Sequence, residues 1–456
     1  MSARGFAMNL YAVAEALRAA GLQVRVKGDD VRLDGVGSDS RRVRAGELFV
    51  ALSGPNFDGN EFAAQALREG AAACLLERDT GASPALIVED SRRALGLLAQ
   101  HWRARFDIPL VAVTGSNGKT TVKEMLAAIF SRKGRVLATR GNLNNDIGLP
   151  LTLLGLHSEH DYAVIEMGAN HPGEIAWLTA LARPDVALIT NAGPAHLEGF
   201  GSLEGVARAK GEIYAGLREG GCAIVNADDA FADLWRGLIA PGLRQLDFGI
   251  DSPAAVRATL AGDGDARIAT PAGDFELRLP LPGRHNLMNA LAATAAAVAT
   301  GIEPGVIRAG LESMSPVAGR LQLRAGLAGS RIIDDTYNAN PASMQAALAV
   351  LRDFSGRHFL ALGDMGELGG EETALHAQTG EQARASGVQR LYTLGRLARE
   401  AAASFGQGAQ SFDDHEGLIE CLRRDLAGDV TLLVKGSRRM HMERVVEALS
   451  AGGGRI

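Results

Sequence analysis

The sequence predicts an α/β protein built from three domains. Its 456 residues exceed what one ordinary core organises, and 46% of them are hydrophobic, which is enough to fill several cores. Short apolar segments alternate with helical segments from residue 108 onward, and a second alternation of this kind begins near residue 331. This pattern is typical of parallel sheets covered by helices on both faces. We therefore predict domains over residues 1–107, 108–315 and 316–456.

The first hundred residues are predicted to form a small N-terminal α/β domain. The expected elements are a helix over 8–18, a hairpin over 24–33, a strand over 48–52 and a helix over 62–69. Two polar turns, Ser38 to Arg44 and Ser53 to Asn60, flank the strand.

The two alternating segments are predicted to form sheets with helices between their strands. Strands in the central domain are expected at 110–114, 162–167, 186–191 and 222–226, and an alanine-rich helix at 291–300. Strands in the C-terminal domain are expected at 331–335, 358–363, 391–395 and 431–434. The order of elements indicates a parallel sheet in the central domain and a Rossmann-like α/β C-terminal domain.

Charge and cysteine content restrict the class of protein. The net charge of -6 is spread without acidic or basic blocks, which argues against a nucleic-acid surface and favours small charged metabolites. Cys74, Cys222 and Cys421 are far apart, as expected of buried thiols in a reducing compartment. The sequence has neither a signal-type core at its start nor an apolar run of membrane-spanning length. We expect a cytoplasmic protein without membrane insertion, and a monomer.

A strand that ends in a glycine-rich turn is the most informative local feature. The apolar run Val111 to Val113 leads into Thr114-Gly115-Ser116-Asn117-Gly118-Lys119-Thr120-Thr121. The glycines let backbone N–H groups face phosphate oxygens, Lys119 adds a cation, Thr120 offers a hydroxyl to magnesium, and the following helix adds its positive end. Val113 stands where the full motif requires a glycine, and an ordinary turn is the alternative. Lys-Thr-Thr after two glycines has no packing rationale, however, and predicts a triphosphate site in a P-loop-type domain.

Two ionisable residues follow neighbouring strands of the central domain. Glu166 ends the apolar run 162–165, and His196 lies just past the strand expected at 186–191. Alone, Glu166 is readable as a helix cap and His196 as a donor to a backbone carbonyl. Because the carboxyl ends of parallel strands meet at one edge, both are expected beside the phosphate loop, where magnesium coordination explains them better.

Several other polar residues allow two interpretations. A lone lysine such as Lys210 is by default a solvated helix residue, and the amide-rich loop 142–150 favours contact with a polar ligand. Asn286 is predicted to cap the long apolar helix, whereas Asn289, one turn further, is placed to reach a nucleotide. In the last third, ligand contact competes with a structural role at four more sites. They are His376, Asp364 with Glu367, Lys435 and Ser437.

Taken in order, these segments resemble the Mur ligase family, the ATP-dependent enzymes that extend the peptide of bacterial cell-wall precursors. The matching segments are 114–121, the loop around Asn145, Glu166, 191–196, 210–212 and 285–289. Three later runs are similar to those of the members that add D-alanyl-D-alanine. These runs are 334–341, 362–369 and 435–438. The resemblance covers essentially the whole chain.

The resemblance implies an ATP site, a magnesium site and a sugar-nucleotide site. It assigns ATP to Thr114, Gly115, Ser116, Asn117, Gly118, Lys119, Thr120, Asn289, Arg320 and Asp335. It assigns Mg²⁺ to Thr120, Glu166, His196 and Lys210, the last as a carbamylated lysine, and catalysis to Lys119, Glu166, His196 and Lys210. It assigns the UDP-linked substrate to Ser38, Asp39, Ser40, Arg41, Asn56, Asp58, Gly59 and Asn145.

The implied reaction joins D-alanyl-D-alanine to a UDP-muramoyl tripeptide through an acyl phosphate. Arg320 is expected beside a hinge that lets the C-terminal domain close, with a surface salt bridge as its alternative. Two other functions are considered. A related ligase, such as the tripeptide-forming member or a folylpolyglutamate synthase, would add a different amino acid, and a nucleotide-dependent switch would bind ATP without ligation.

Overall fold

The computed structural model describes residues 5–55, 57–194, 197–260, 265–315 and 317–455. In the first region a sheet of order β2-β9-β8-β5-β4 is parallel except for the β2–β9 pair, and β1 pairs with β3 outside it. The strands are β1 (Met8–Asn9), β2 (Arg25–Lys27), β3 (Arg32–Leu33), β4 (Val36–Gly37), β5 (Leu48–Val50), β6 (Ser53–Gly54), β7 (Phe57–Asp58), β8 (Ala73–Leu76) and β9 (Ala85–Ile87). The helices are α1 (Leu10–Ala19), α2 (Ala63–Arg68) and α3 (Ser91–Arg103).

The central region is built on a sheet of order β11-β12-β10-β13-β14-β15-β16-β17-β18. It is parallel as far as β16 and antiparallel beyond. The strands are β10 (Leu110–Thr114), β11 (Val136–Ala138), β12 (Tyr162–Glu166), β13 (Val186–Ile189), β14 (Cys222–Asn226), β15 (Arg244–Gly249), β16 (Val256–Leu260), β17 (Asp265–Ala269) and β18 (Phe275–Arg278). The helices are α4 (Lys119–Phe130), α5 (Gly148–Leu153), α6 (Glu174–Ala182), α7 (Leu197–Phe200), α8 (Leu203–Gly211), α9 (Ala232–Leu238), α10 (Arg284–Ala299) and α11 (Pro304–Glu312).

The C-terminal region carries a third sheet, of order β23-β22-β21-β24-β20-β19-β25. Its strands are parallel from β23 to β20, and β19 pairs antiparallel with β20 and β25. The strands are β19 (Gln322–Gly326), β20 (Arg331–Asp335), β21 (Arg357–Gly363), β22 (Arg390–Leu394), β23 (Ala409–Phe412), β24 (Val430–Lys435) and β25 (Ser450–Arg455). The helices are α12 (Pro341–Arg352), α13 (Glu372–Ala385), α14 (Ala398–Phe405), α15 (His415–Asp425) and α16 (Glu443–Leu449).

Apolar cores cover both faces of the larger sheets. One core combines residues of the first region, such as Leu48 and Trp102, with Leu110 and Trp235 of the central region. A second core fills the opposite face of the central sheet under α4 and α10, and two further cores enclose the C-terminal sheet. The strands that read as continuous apolar runs are therefore buried on both faces, as expected of parallel sheets. None of the helices in the described ranges combines the length and apolar character needed to cross a membrane.

The α/β class is confirmed, but the hairpin expected over 24–33 is wrong. β2 pairs with β9 and β3 pairs with β1, so the two strands belong to different sheets. The segment between the two strands contacts the first turn of α1, where Asp30 accepts a hydrogen bond from the backbone N–H of Tyr11. The predicted domain limits at 107/108 and 315/316 stay predictions.

Candidate active site

The phosphate loop lies between β10 and α4, and its glycines have conformations that other residues rarely adopt. Gly118 precedes the helix with φ +83°, and a Cβ there would lie 2.3 Å from Asn289 Oδ1. Gly115 has φ +147°, and a Cβ there would lie 1.9 Å from Thr190 Oγ1. Both positions therefore need glycine for backbone angle and for space. The two glycines therefore hold the loop in a conformation that other residues would disturb, and its role in binding phosphate stays a prediction.

The cation and the hydroxyl predicted from the loop sequence are both partly or fully buried. Lys119 Nζ donates to the carbonyl of Gly115 at 2.7 Å, and burial lowers the pKa of its ammonium while the charge of Glu166 opposes that shift. Thr120 Oγ1 donates to Glu166 Oε2 at 3.0 Å. Asn144 Nδ2 donates to the other oxygen, Glu166 Oε1, at 2.8 Å. Glu166 is only 2% exposed, so the structure places a buried carboxylate against the phosphate loop and not at a helix cap.

The oxygen atoms of Thr120 and Glu166 fit a magnesium site. Two adjacent ligands of an octahedral ion at about 2.1 Å are about 3.0 Å apart, which matches the separation of Thr120 Oγ1 and Glu166 Oε2. Within the described ranges no group of three His, Cys, Asp or Glu residues could hold a metal. An ion here would thus take its remaining ligands from water and phosphates, as magnesium commonly does. His196, predicted to bind a second ion, lies outside the described residues.

Lys210 is buried, and the default interpretation of a solvated helix lysine is wrong. It is 2% exposed near the end of α8, with Nζ 5.5 Å from the centre of the Phe200 ring. Burial, and secondarily the charge of Lys119, lower the pKa of its ammonium to about 7. A large fraction of this amine is therefore neutral and nucleophilic near neutral pH.

The C-terminal region supplies charged side chains to the same place. Arg320 donates from a guanidinium nitrogen to Thr120 Oγ1 at 2.9 Å and stacks on Tyr337 with 4.1 Å between guanidinium carbon and ring centre. The surface salt bridge considered for Arg320 is thus wrong. Asp335 accepts from Lys435 Nζ at 2.5 Å, and both residues are buried.

These residues surround a cavity of about 660 Å³ between the central and C-terminal regions. Most residues predicted to bind ATP line it, whereas Thr114 and Gly115 do not. The predicted residues on its wall are Ser116, Asn117, Gly118, Lys119, Thr120, Asn145, Glu166, Lys210, Asn289, Arg320 and Asp335. Thr114 is fully buried and donates to the carbonyl of Met167, which ties two strand ends together. The arrangement can hold a polyphosphate between two regions of the chain.

The residues predicted to bind the UDP moiety lie elsewhere, except Asn145. Asp39 accepts three hydrogen bonds from Arg41, and these bonds lower the pKa of its carboxyl group to about 2. Asp58 accepts from Asn60 and Arg78. Neither polar turn lines the cavity, so this part of the prediction concerns a separate surface. Ser38, Asp39, Ser40, Arg41 and Asp58 are partly or fully exposed outside the cavity, whereas Gly59 is buried. Asn56 lies outside the described residues.

Two residues have structural roles, and that of Asn286 differs from the one predicted. Asn286 is not the cap of α10, because Gly283 precedes the helix and Asn286 Nδ2 reaches back to the carbonyl of Pro282. His376 is fully buried between two backbone groups, accepting from the N–H of Met365 and bonding the carbonyl of Glu372. His376 therefore stabilises a turn and does not face solvent.

Of the other residues singled out in the last third of the chain, some have structural roles and some lie on the cavity wall. Asp364 accepts from the N–H of Ala398 and so caps α14. Lys435 lines the cavity through its pair with Asp335. The Ser437 hydroxyl is buried and finds no hydrogen-bond partner in the described part of the chain.

Two residues of the candidate site were not singled out from the sequence. Asn144 holds Glu166, although only its neighbour Asn145 was named, and the amide-rich composition of the loop was the available signal. Asp228 accepts from the N–H groups of Ile250 and Ser252 on the cavity wall. Nothing in its local sequence distinguishes it.

Replacing Gly118 by alanine should raise the dissociation constant for ADP about tenfold or more and lower the melting temperature. The new methyl group would meet Asn289, and the left-handed backbone adds about 1–2 kcal/mol of strain. Calorimetric titration with ADP and thermal unfolding measure the two effects. Gly173→Ala is the matched control, since Gly173 also precedes a helix with φ +86° but has open space around it. Equal effects of both substitutions on ADP binding would contradict the steric argument.

Three family models match consecutive parts of the chain. One described as "Mur ligase family, catalytic domain" matches residues 32–103, "Mur ligase middle domain" matches 113–297, and "Mur ligase, glutamate ligase domain" matches 319–438. Each match covers most of one of the three larger sheets, whereas β2 and β25 lie outside the matched residues.

Individual proteins match over nearly the whole length. The UDP-N-acetylmuramoyl-tripeptide--D-alanyl-D-alanine ligase of Escherichia coli (strain K12) is 46% identical over 95% of this chain and 97% of its own. A crystal structure of MurF from Acinetobacter baumannii superposes with a TM-score of 0.90 at 36% identity, covering 97% and 99% of the two chains. The MurF ligase from Thermotoga maritima in complex with ADP gives a TM-score of 0.81 at 32% identity, covering 91% and 96%.

Proposed function

This chain belongs to the Mur ligase family, and we propose that it joins D-alanyl-D-alanine to a UDP-N-acetylmuramoyl-tripeptide with ATP as the energy source. It is an ADP-forming amide-bond ligase of peptidoglycan synthesis, and its relatives are named UDP-N-acetylmuramoyl-tripeptide--D-alanyl-D-alanine ligases. The contact that carries the proposal is the one between Thr120, Glu166 and Arg320. It brings a phosphate loop, a buried carboxylate and a cation from another region to one point.

The reaction is an activation of a carboxylate. An oxygen of the tripeptide carboxylate attacks the γ-phosphorus of ATP, the bond to the β-phosphate oxygen breaks, and ADP leaves. The amine of D-alanyl-D-alanine then attacks the acyl carbon, phosphate departs with the carboxylate oxygen, and the nitrogen loses a proton. The described cavity wall needs to offer no protein nucleophile for this sequence, because both bonds form between substrates.

The protein's task is to bring anions together and to neutralise their charge. In the structure Lys119 bonds the carbonyls of its own loop, and we propose that it turns to the terminal phosphates when ATP enters. Arg320 lies within hydrogen-bond distance of Thr120 and supplies positive charge from the C-terminal side. Thr120 and Glu166 would hold magnesium, which would supply neutralisation of phosphate charge. Asn144 orients the carboxylate of Glu166 for that purpose.

Lys210 supports the proposal of a carbamylated lysine. The reaction needs a neutral amine, whose nitrogen bonds the carbon of CO₂ and loses a proton to give a carbamate. A pKa of about 7 makes that amine available near neutral pH, and a carbamate there would add a carboxylate-like oxygen ligand. His196 is proposed to hold a second ion.

The remaining predicted contacts are proposals of the same kind. We propose that Asn289 and Asp335 contact the nucleotide and that Asn145 lies between its terminal phosphate and the tripeptide. The polar turns with Ser38 to Arg41 and Asp58 to Gly59, together with Asn56, are proposed to receive the UDP moiety. The three buried thiols agree with a cytoplasmic location, and we propose that the protein acts as a monomer on small-molecule substrates alone.

Phosphate release should require both substrates of the ligation. Purified protein with ATP and Mg²⁺ should release phosphate at a substantial rate only when UDP-muramoyl tripeptide and D-alanyl-D-alanine are both present. Mass spectrometry should show the tripeptide gaining one dipeptide less one water. Turnover with a diamino acid or glutamate in place of the dipeptide would instead indicate one of the related ligases. ATP binding without any turnover would indicate a nucleotide-dependent switch.

A further inference from the structure

One hydrogen bond joins the tip of the phosphate loop directly to the C-terminal region. Asn340 Nδ2 donates to Asn117 Oδ1 at 2.9 Å, although 223 positions separate the two residues. Asn117 lies in the loop that begins α4, and Asn340 immediately precedes α12. The contact thus exists only while the C-terminal region lies against the phosphate loop.

The central sheet fixes the main chain of Asn117 from the other side. Its N–H donates to Asn191 Oδ1 at 3.0 Å, and its carbonyl accepts from Asn191 Nδ2 at 3.1 Å. Thr190 Oγ1 donates to the same carbonyl at 2.6 Å. Because these bonds use the backbone of Asn117, its side chain is left for the C-terminal region. Asn191 thus bonds the main chain of Asn117, and Asn340 bonds its side chain. We call these three asparagines the asparagine relay.

The Asn340 side chain does two things that only an amide combines. Its Oδ1 accepts from the N–H of Ser343 at 2.9 Å, and Ser343 Oγ accepts from the N–H of Asn340 at 3.0 Å, so the pair caps α12. Aspartate or serine would cap this helix equally well. Neither carries the N–H group that Asn340 gives to Asn117. The cap alone therefore leaves the choice of asparagine unexplained.

We propose that Asn340 is a positioning residue that holds the phosphate loop in its reacting arrangement when the C-terminal region closes over the nucleotide. The proposal rests on the proposed function and adds a residue to it. ATP can enter the phosphate loop before closure, but phosphoryl transfer takes place in the closed arrangement. The asparagine relay therefore acts on the chemical step more than on ATP binding, and its loss lowers kcat with little change in KM.

Asn340→Ser tests this because its hydroxyl can still cap α12 but cannot reach Asn117. We expect kcat to fall about three- to tenfold, which is the rate factor that corresponds to the loss of one neutral hydrogen bond. KM for ATP should stay within about twofold. Asn117→Ala should show the same loss, and the double variant should lose no more than either single variant. Ser343→Ala removes the other half of the cap. It should lower the melting temperature and keep kcat within about twofold.

Three results would overturn the proposal. They are an unchanged kcat for Asn340→Ser, losses that multiply in the double variant, and an equal fall in kcat for Asn340→Ser and Ser343→Ala. Calorimetric titration with ADP supplies a readout independent of turnover, and the affinity of Asn340→Ser should match that of the unaltered protein. If the unaltered protein itself fails to ligate, the proposed function fails. A protein that ligates normally with Asn340→Ser refutes only the role of the asparagine relay.

Discussion

Glu166→Gln should lower kcat/KM for ATP about a thousandfold while the protein stays folded. The substitution keeps the shape of the side chain but removes the buried negative charge that faces Thr120 and Asn144. Loss of a magnesium ligand removes several kcal/mol of charge stabilisation, and about 4 kcal/mol corresponds to three powers of ten in rate. Steady-state kinetics over a range of Mg²⁺ concentrations measure the loss.

Glu204→Gln is the matched control for this variant. Glu204 lies on α8 with its side chain 58% exposed and pairs only with Arg208 in the described structure. Its kinetics should equal those of the unaltered protein. A Glu166→Gln enzyme that keeps more than about a tenth of the activity, with unchanged Mg²⁺ dependence, would show that Glu166 is structural.

Lys210→Met should abolish ligation and at the same time make the protein more stable. Methionine fills a similar volume without an amine that must be desolvated, and no carbamate can form on it. Burial lowers the pKa of Lys210 from 10.5 to about 7, which corresponds to a destabilisation of a few kcal/mol when the amine is protonated. We expect a melting temperature higher by at least about 2 °C in degassed, metal-free buffer. With Mg²⁺ and bicarbonate present, we expect an activity lower by at least about a hundredfold.

The gain in stability should depend on pH in a defined direction. Since the folded-state pKa lies below that of the unfolded chain, the unfolded state binds the extra proton between about pH 7 and 10.5. The penalty from Lys210 is fully present below about pH 7 and fades as the pH rises toward 10.5. Arg208→Met, two residues away with its side chain 60% exposed, should show neither effect. A Lys210→Met protein that is less stable at pH 6 would contradict the burial argument.

Local sequence was sufficient where a segment's own residues decide its structure. β10 and β14 begin and end at the predicted residues, because each is a short apolar run followed directly by a polar turn. The phosphate-loop motif could be read from the sequence because Gly115, Gly118 and Lys119 lie within five consecutive residues. The hairpin β16–β17 was missed, although buried and exposed residues alternate along both strands.

Residues whose role depends on distant partners could not be assigned in this way. Lys210 is buried on a helix that packs against α7, with its amine beside Phe200, whereas its local sequence predicts a solvated lysine. Arg320 contacts Thr120 across 200 positions of chain, and Asn340 contacts Asn117 across 223. Resemblance to a family pointed to Lys210 and Arg320. Three-dimensional contacts were required for Asn144, Asp228 and Asn340.

The fate of the carboxylate oxygen tests the acyl phosphate account most directly. UDP-muramoyl tripeptide carrying ¹⁸O in its terminal carboxylate should be ligated to unlabelled D-alanyl-D-alanine, and the products analysed by mass spectrometry. The account predicts one ¹⁸O atom in the released phosphate and the other in the new amide carbonyl. Released phosphate without ¹⁸O would show that ATP is cleaved by water or by another acceptor, and would contradict activation of the tripeptide at this site.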